Sequence, residues 1–192
     1  GSTATVTNLA AGSYTVTATN AGGCSTTQTI TVTQPPLLTA TSSQTNLVCN
    51  GINNGSASVT PGGGSPIYTY TWTPAGGNSA TANNLSAQNY TCTITDANGC
   101  TLQQTFALTA PAAITLVMSA TPSTCGSPNG TASVAASGGT GGFTYLWQPS
   151  GGTASTDPNL TGGTYSVTVT DGSGCTAQGT VAVVGATTPS AT

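Results

Sequence analysis

The chain has 192 residues with no Lys, Arg, His or Glu, and Asp96, Asp157 and Asp171 are its only charged side chains. With basic residues at roughly 12% of average usage, drawing none over this length has a chance probability below about 10⁻⁹, so the composition itself is under selection. Nucleic acid and anionic membranes are gripped through clustered Lys and Arg, which excludes both as partners; salt bridges, trypsin-like cleavage and much dependence on salt, or on pH between about 5 and 9, go with them.

Thr alone contributes 42 residues, and a chain this rich in Thr, Ser, Gly and Asn invites a disordered reading. Periodicity opposes it. Thr29-Ile-Thr-Val-Thr33, Tyr90-Thr-Cys-Thr-Ile-Thr95 and Tyr165-Ser-Val-Thr-Val-Thr170 alternate apolar and hydroxyl residues, the pattern of strands with one buried face. No stretch has a helical period, no apolar run reaches 18 residues, and no signal peptide with a basic leading region is present, so the chain reads as mature or as a fragment. Gly1-Ser2 reads equally well as a cloning remnant or as ordinary sequence.

Laid against itself at an offset of 75 to 76 residues, the sequence aligns its unusual residues. Cys24, Cys100 and Cys175 correspond, as do Tyr14, Tyr90 and Tyr165; Cys49 matches Cys125, Trp72 matches Trp147, and Pro35 matches Pro111. The expected organisation is therefore residues 1–35 as the final part of a unit, 36–111 as a complete unit and 112–192 as another. Within the last unit strands are expected at 114–120, 131–136, 143–148, 165–170 and 179–184, with weaker strand material between 153 and 160. Six or seven short strands with Gly-rich turns predict tandem immunoglobulin-like β-sandwiches, small enough to need covalent help.

Tyr68, Tyr70 and Trp72 alternate along one predicted strand, as do Phe143, Tyr145 and Trp147, which places their rings against the opposite sheet. The pairs Leu9 and Tyr14, Leu85 and Tyr90, and Leu160 and Tyr165 keep one spacing before the penultimate strand. That is where immunoglobulin-like sandwiches carry a tyrosine corner, so Tyr14, Tyr90 and Tyr165 read as core and corner residues.

Six cysteines on such a chain point to an oxidising compartment. Repeat logic pairs Cys49 with Cys100 and Cys125 with Cys175, each bond clamping the start of a second strand to the turn after the penultimate one. Cys24 is then left without a partner, and Cys92, at the position of Val16 and Val167, reads as a buried free thiol. With no Cys-x-x-Cys and no His, no zinc site is expected.

Asp96 and Asp171 occupy Asp-x-x-Gly-Cys, with Asn20 at the matching place, so all three read as turn residues whose side chains bond nearby backbone. Asp157 reads as a loop residue, and isolated Asp residues do not gather the oxygens that calcium needs. Ser and Thr abound without a base to activate them, so no catalytic residue and no cofactor are expected. Sequons at Asn54, Asn84, Asn89, Asn129 and Asn159 arise by chance at this Ser and Thr content.

The run Cys125-Gly-Ser-Pro-Asn-Gly-Thr-Ala-Ser-Val, then Phe143-Thr-Tyr-Leu-Trp147, then Asn159-Leu-Thr-Gly-Gly-Thr-Tyr165 through Asp171-Gly-Ser-Gly-Cys175 resembles the SprB repeat of Bacteroidota surface proteins, and residues 49–100 repeat it. The resemblance implies a very large, extracellular, cell-surface protein exported by the type IX route, in some cases a gliding-motility adhesin, and carries over no catalytic residue. The expected function is a structural segment of an extracellular fibre, its units joined by short linkers at Gln34-Pro-Pro36 and Ala110-Pro111, associating with itself through an uncharged surface and exposed edge strands. The alternative is an adhesin module that binds carbohydrate through the Gly-rich loops 61–66 and 137–142.

Overall fold

The computed structural model describes residues 5–124 and 127–186, and among these the chain forms strands and no helix. The first two, β1 (Gly12–Thr19) and β2 (Ser25–Val32), pair as an antiparallel hairpin. A run of six follows: β3 (Thr39–Thr45), β4 (Gly55–Gly62), β5 (Thr69–Thr73), β6 (Thr81–Leu85), β7 (Asn89–Thr95) and β8 (Thr101–Ala107). A second run repeats it: β9 (Thr115–Thr121), β10 (Gly130–Ser137), β11 (Thr144–Gln148), β12 (Thr156–Leu160), β13 (Gly163–Thr170) and β14 (Thr176–Val183).

Each run builds two three-stranded antiparallel sheets, β3-β4-β6 facing β5-β7-β8 and β9-β10-β12 facing β11-β13-β14. This is an immunoglobulin-like sandwich, all-β, with the first, second and fourth strands on one sheet and the third, fifth and sixth on the other. Alternation sets the faces. Along β7 the side chains of Tyr90, Cys92 and Ile94 are buried while the threonines between them are only half-buried, and Tyr165, Val167 and Val169 do the same on β13.

Each sandwich closes on its own core. Trp72, Tyr90, Cys92, Ile94 and Phe106 pack with Val59 and Leu85 in the first, and Trp147, Tyr165, Val167 and Val169 pack with Val134 and Leu160 in the second. Both indoles keep their N–H satisfied: Trp72 Nε1 donates to the Ser79 carbonyl and Trp147 Nε1 to the Ala154 carbonyl, each at 2.9 Å. Tyr68, Tyr70, Phe143 and Tyr145 lie half-buried against these cores.

The weaker strand material expected between 153 and 160 is β12, and it corrects the reading of Asp157. Asp157 is a strand residue opposite Ala132, buried, and accepts a hydrogen bond from the Ser150 hydroxyl. Neighbouring residues hid this, because Asp157-Pro-Asn resembles a turn, and the irregular β10/β12 register accommodates it with Asn159 at φ 60°.

A candidate docking junction

The two ends of each sandwich differ in chemistry. One end gathers the incoming linker, a Gly-rich turn and the hairpin that carries the Asp and Cys. In the second sandwich Asp171 Oδ1 accepts N–H bonds from Ser173 and Cys175, both at 2.9 Å, and Oδ2 accepts one from Thr140 at 2.9 Å. Asp96 does the same with Asn98 (3.0 Å), Cys100 (2.8 Å) and Ser65 (3.0 Å). Asn20 accepts from Gly22 and Cys24 through its single side-chain oxygen. Each aspartate thus ties its hairpin to the Gly-rich turn.

The carboxyl chemistry follows from these donors. The Ser65 N–H, opposed by burial and joined by those of Cys100 and Asn98, holds the Asp96 carboxyl below the usual carboxylate range. Burial works to raise Asp171, but the N–H groups of Thr140, Cys175 and Ser173 outweigh it and hold that carboxyl low as well.

The Gly-rich turns are shaped by their own linkers. A Cβ at Gly138, where φ is +82°, would lie 2.1 Å from the Ala113 carbonyl oxygen, and one at Gly63, where φ is +65°, 2.0 Å from that of Leu37. Only glycine fits there. These turns are committed to holding the linker against the sandwich.

The opposite end carries the β3–β4 loop and the tyrosine corner. Tyr165 Oη donates to the Thr161 carbonyl at 3.1 Å and Tyr14 Oη to that of Ala10 at 2.9 Å, while Tyr90 Oη accepts the Ser86 N–H at 3.1 Å. Leu47 N–H donates to the Thr109 carbonyl at 3.0 Å and Gln44 Nε2 to that of Ala107 at 2.9 Å, so the β3–β4 loop sits beside the outgoing end of β8.

That placement corrects the cysteine pairing. Cys49 is bonded to Cys175, with Cα atoms 5.6 Å apart and a sequence separation of 126, and neither Cys49–Cys100 nor Cys125–Cys175 forms. The reason is geometric. Cys49 lies beside the Ala107 end of β8 and Cys100 precedes its Thr101 end, so the seven residues of β8 hold them roughly 20 Å apart, whereas a disulfide needs Cα atoms within about 7 Å.

The bond joins one sandwich to the next. Beside it, Asn50 Nδ2 donates to the Pro111 carbonyl at 3.0 Å, and Cys175 Sγ lies 3.4 Å from the Val48 carbonyl oxygen. Asn50 and Cys175 line a cleft with Pro111, Ala112, Ile114, Gly139 and Asp171. Sequence reasoning missed Asn50, and the one available signal was its position next to Cys49.

Cys100 and Cys24 are free and exposed, Cys92 is free and buried, and burial pushes the Cys92 thiol up. Cys125 lies outside the described residues. Among the described residues no group of three or more His, Cys, Asp or Glu is placed to hold a metal ion.

Two segments, residues 41–77 and 118–152, match the family model of the SprB repeat. Both fall at the same place in the two sandwiches, from β3 or β9 to the turn after the tryptophan strand. No curated protein matches. Among solved structures, one on Dscam isoform specificity is 13% identical, covers 78% of this chain and 47% of its own, with a TM-score of 0.34. The amphioxus IgVJ-C2 molecule is 16% identical over 74% of this chain and 96% of its own, with a TM-score of 0.31. A complex of Dpr11 IG1 with DIP-gamma is 11% identical over 78% and 99%, with a TM-score of 0.33. This chain spans about half the length of the Dscam chain. The SprB matches support an extracellular repeat module of the structural or adhesive class.

Proposed function

We propose that the chain, with its two SprB repeats, is a structural segment of an extracellular surface fibre and associates with further copies of itself. The observation that carries this reading is the junction. A short linker, a disulfide and the Asn50 to Pro111 hydrogen bond fix one sandwich to the next, a device suited to a stiff array. A disulfide placed there fits an oxidising exterior. The surface, nearly free of charge, removes the repulsion that keeps proteins apart, and the outer strands of each sheet offer unpaired backbone for lateral contact.

The reading assigns no catalytic role. Carbohydrate recognition through loops 61–66 and 137–142 is less well supported, because those turns are occupied in bracing their linkers. Electron microscopy of the purified chain across a concentration series, without reductant, tests the proposal. Ordered filaments that lengthen or bundle with concentration are expected. Single short rods at every concentration would remove self-association and leave a spacer.

A further inference from the structure

The Cys100 end of the first sandwich reproduces the Cys175 end of the second. Gly64 N–H donates to the Pro36 carbonyl as Gly139 N–H does to that of Ala112, both at 2.9 Å. Asp96 grips Ser65, Asn98 and Cys100 as Asp171 grips Thr140, Ser173 and Cys175. At the second sandwich this end receives Cys49 and Asn50. At the first it is a cleft walled by Pro35, Pro36, Leu38, Gly64 and Asp96, and the Cys100 thiol on its edge is exposed.

The β1–β2 hairpin supplies an independent observation. Its Tyr14 pairs Ile30 as Tyr90 pairs Phe106 and Tyr165 pairs Val181. In both sandwiches that face is covered by the opposite sheet. On the hairpin Val16 is 48% exposed and Ile30 53%, in an apolar groove shared with Val6, Leu9, Tyr14 and Val32.

Both features ask for the same partner. At the junction between the sandwiches, the loop that bonds Cys175 belongs to β3–β6, of which β3, β4 and β6 cover β7 and β8 while β5 pairs with the edge of β7, and the chain then passes from β8 through Pro111 into the second sandwich. The chain likewise passes from β2 through Pro35 to the Cys100 end. We propose that the open face of β1–β2 and the Cys100 end form one composite docking site for a second polypeptide segment of the β3–β6 kind: four short strands, the second and third alternating apolar and hydroxyl residues, with a Cys-Asn loop after the first.

Docking is sealed by a disulfide. Cys100 and the segment's cysteine each give up one proton and one electron; the two electrons reduce a disulfide oxidant such as oxidised glutathione to two thiols, and the new sulfur–sulfur bond forms by thiol–disulfide exchange. The site stands whether or not the chain assembles into filaments.

The test uses the full chain in a glutathione redox buffer with two probes: a polypeptide of residues 36–88, which contains Cys49 and the strands, and a peptide of residues 46–54, which contains only the loop. Adducts are mapped by peptic digestion and mass spectrometry. Cys24 is the internal reference, since its surroundings are the residues of its own hairpin. The longer probe is expected to bond Cys100 at least about ten-fold faster than the loop peptide, because it also buries the hairpin face. Cys24 is expected to take both probes at one rate. The Val16→Asp, Ile30→Asp double substitution, at exposed positions, is expected to erase the advantage at Cys100 while leaving its reaction with oxidised glutathione alone unchanged. Equal rates for the two probes, an advantage that survives the Asp substitutions, or no adduct at Cys100 would each overturn the proposal.

Discussion

The hairpin β1–β2 and the hairpin β13–β14 share a register, a tyrosine at the same place and the same alternation of apolar and hydroxyl residues, yet their apolar faces meet opposite fates. Val16 is 48% exposed and Val167 1%. Pairing in these hairpins is therefore a local property, set by the strand pattern and by Asn20 or Asp171 in the turn. Burial is not local. It depends on strands drawn from far along the chain, and identical sequence signals give no notice of whether those strands are in place.

The largest disturbance to this comparison is expected from the bond that ties the sandwiches together. Cys49→Ser opens a loop of 126 residues, and chain entropy puts the loss at about 4–5 kcal/mol when both sandwiches unfold together. Denaturant unfolding, followed by tryptophan fluorescence, is expected to separate into two transitions in the variant. A single unshifted transition would show that the bond does not couple them.

Next comes Trp147→Ala, which empties the second core. A loss of about 3–5 kcal/mol is expected, confined to the second sandwich and read by the remaining Trp72 as an unchanged first transition once Cys49 has been replaced. A smaller and sharper test is the same substitution at matched positions. Val167→Ala is expected to cost about 1–2 kcal/mol, whereas Val16→Ala stays within about 0.5 kcal/mol. Equal costs would mean that the hairpin face is covered in solution.

The smallest effect concerns pH. Asp96 and Asp171 are held below the usual carboxylate range in the folded state, so on acidification the unfolded chain takes up protons first. Their contribution is complete above about pH 4 and drains away as pH falls through the folded values. Thermal unfolding is expected to be flat from about pH 5 to 9 and to weaken below about 4. Asp171→Asn, which copies Asn20, is expected to keep the two turn N–H contacts and to flatten part of the acid limb. An unaltered acid limb would place the protonation elsewhere.

Much of this was legible. Alternation located the strands, the recurrent Leu and Tyr located the corner, and the tryptophans marked the cores. The cysteine pairing was misread because matching residues by repeat ignores strand direction. Tyr90 opens β7 at the corner end and Cys100 follows it by ten residues, at the far end, whereas Cys49 follows β3, which runs toward the corner. Counting strand lengths from the tyrosine would have separated Cys49 from Cys100 and set it beside the next sandwich. Asp157 was misread for a different reason: a buried carboxylate with a Ser150 partner lies inside a Pro-Asn segment that has the composition of a turn.

The disulfide also decides how the molecule answers a pull. Tension applied to the two ends passes from Cys49 to Cys175 through one sulfur–sulfur bond and bypasses the residues between them. About 400 Å of contour length, at some 3.3 Å per residue over a separation of 126, is thereby shielded from stretching. Oxidised, the stretch between the two cysteines is a nearly inextensible tie; reduced, the same stretch becomes a shock absorber that can unravel.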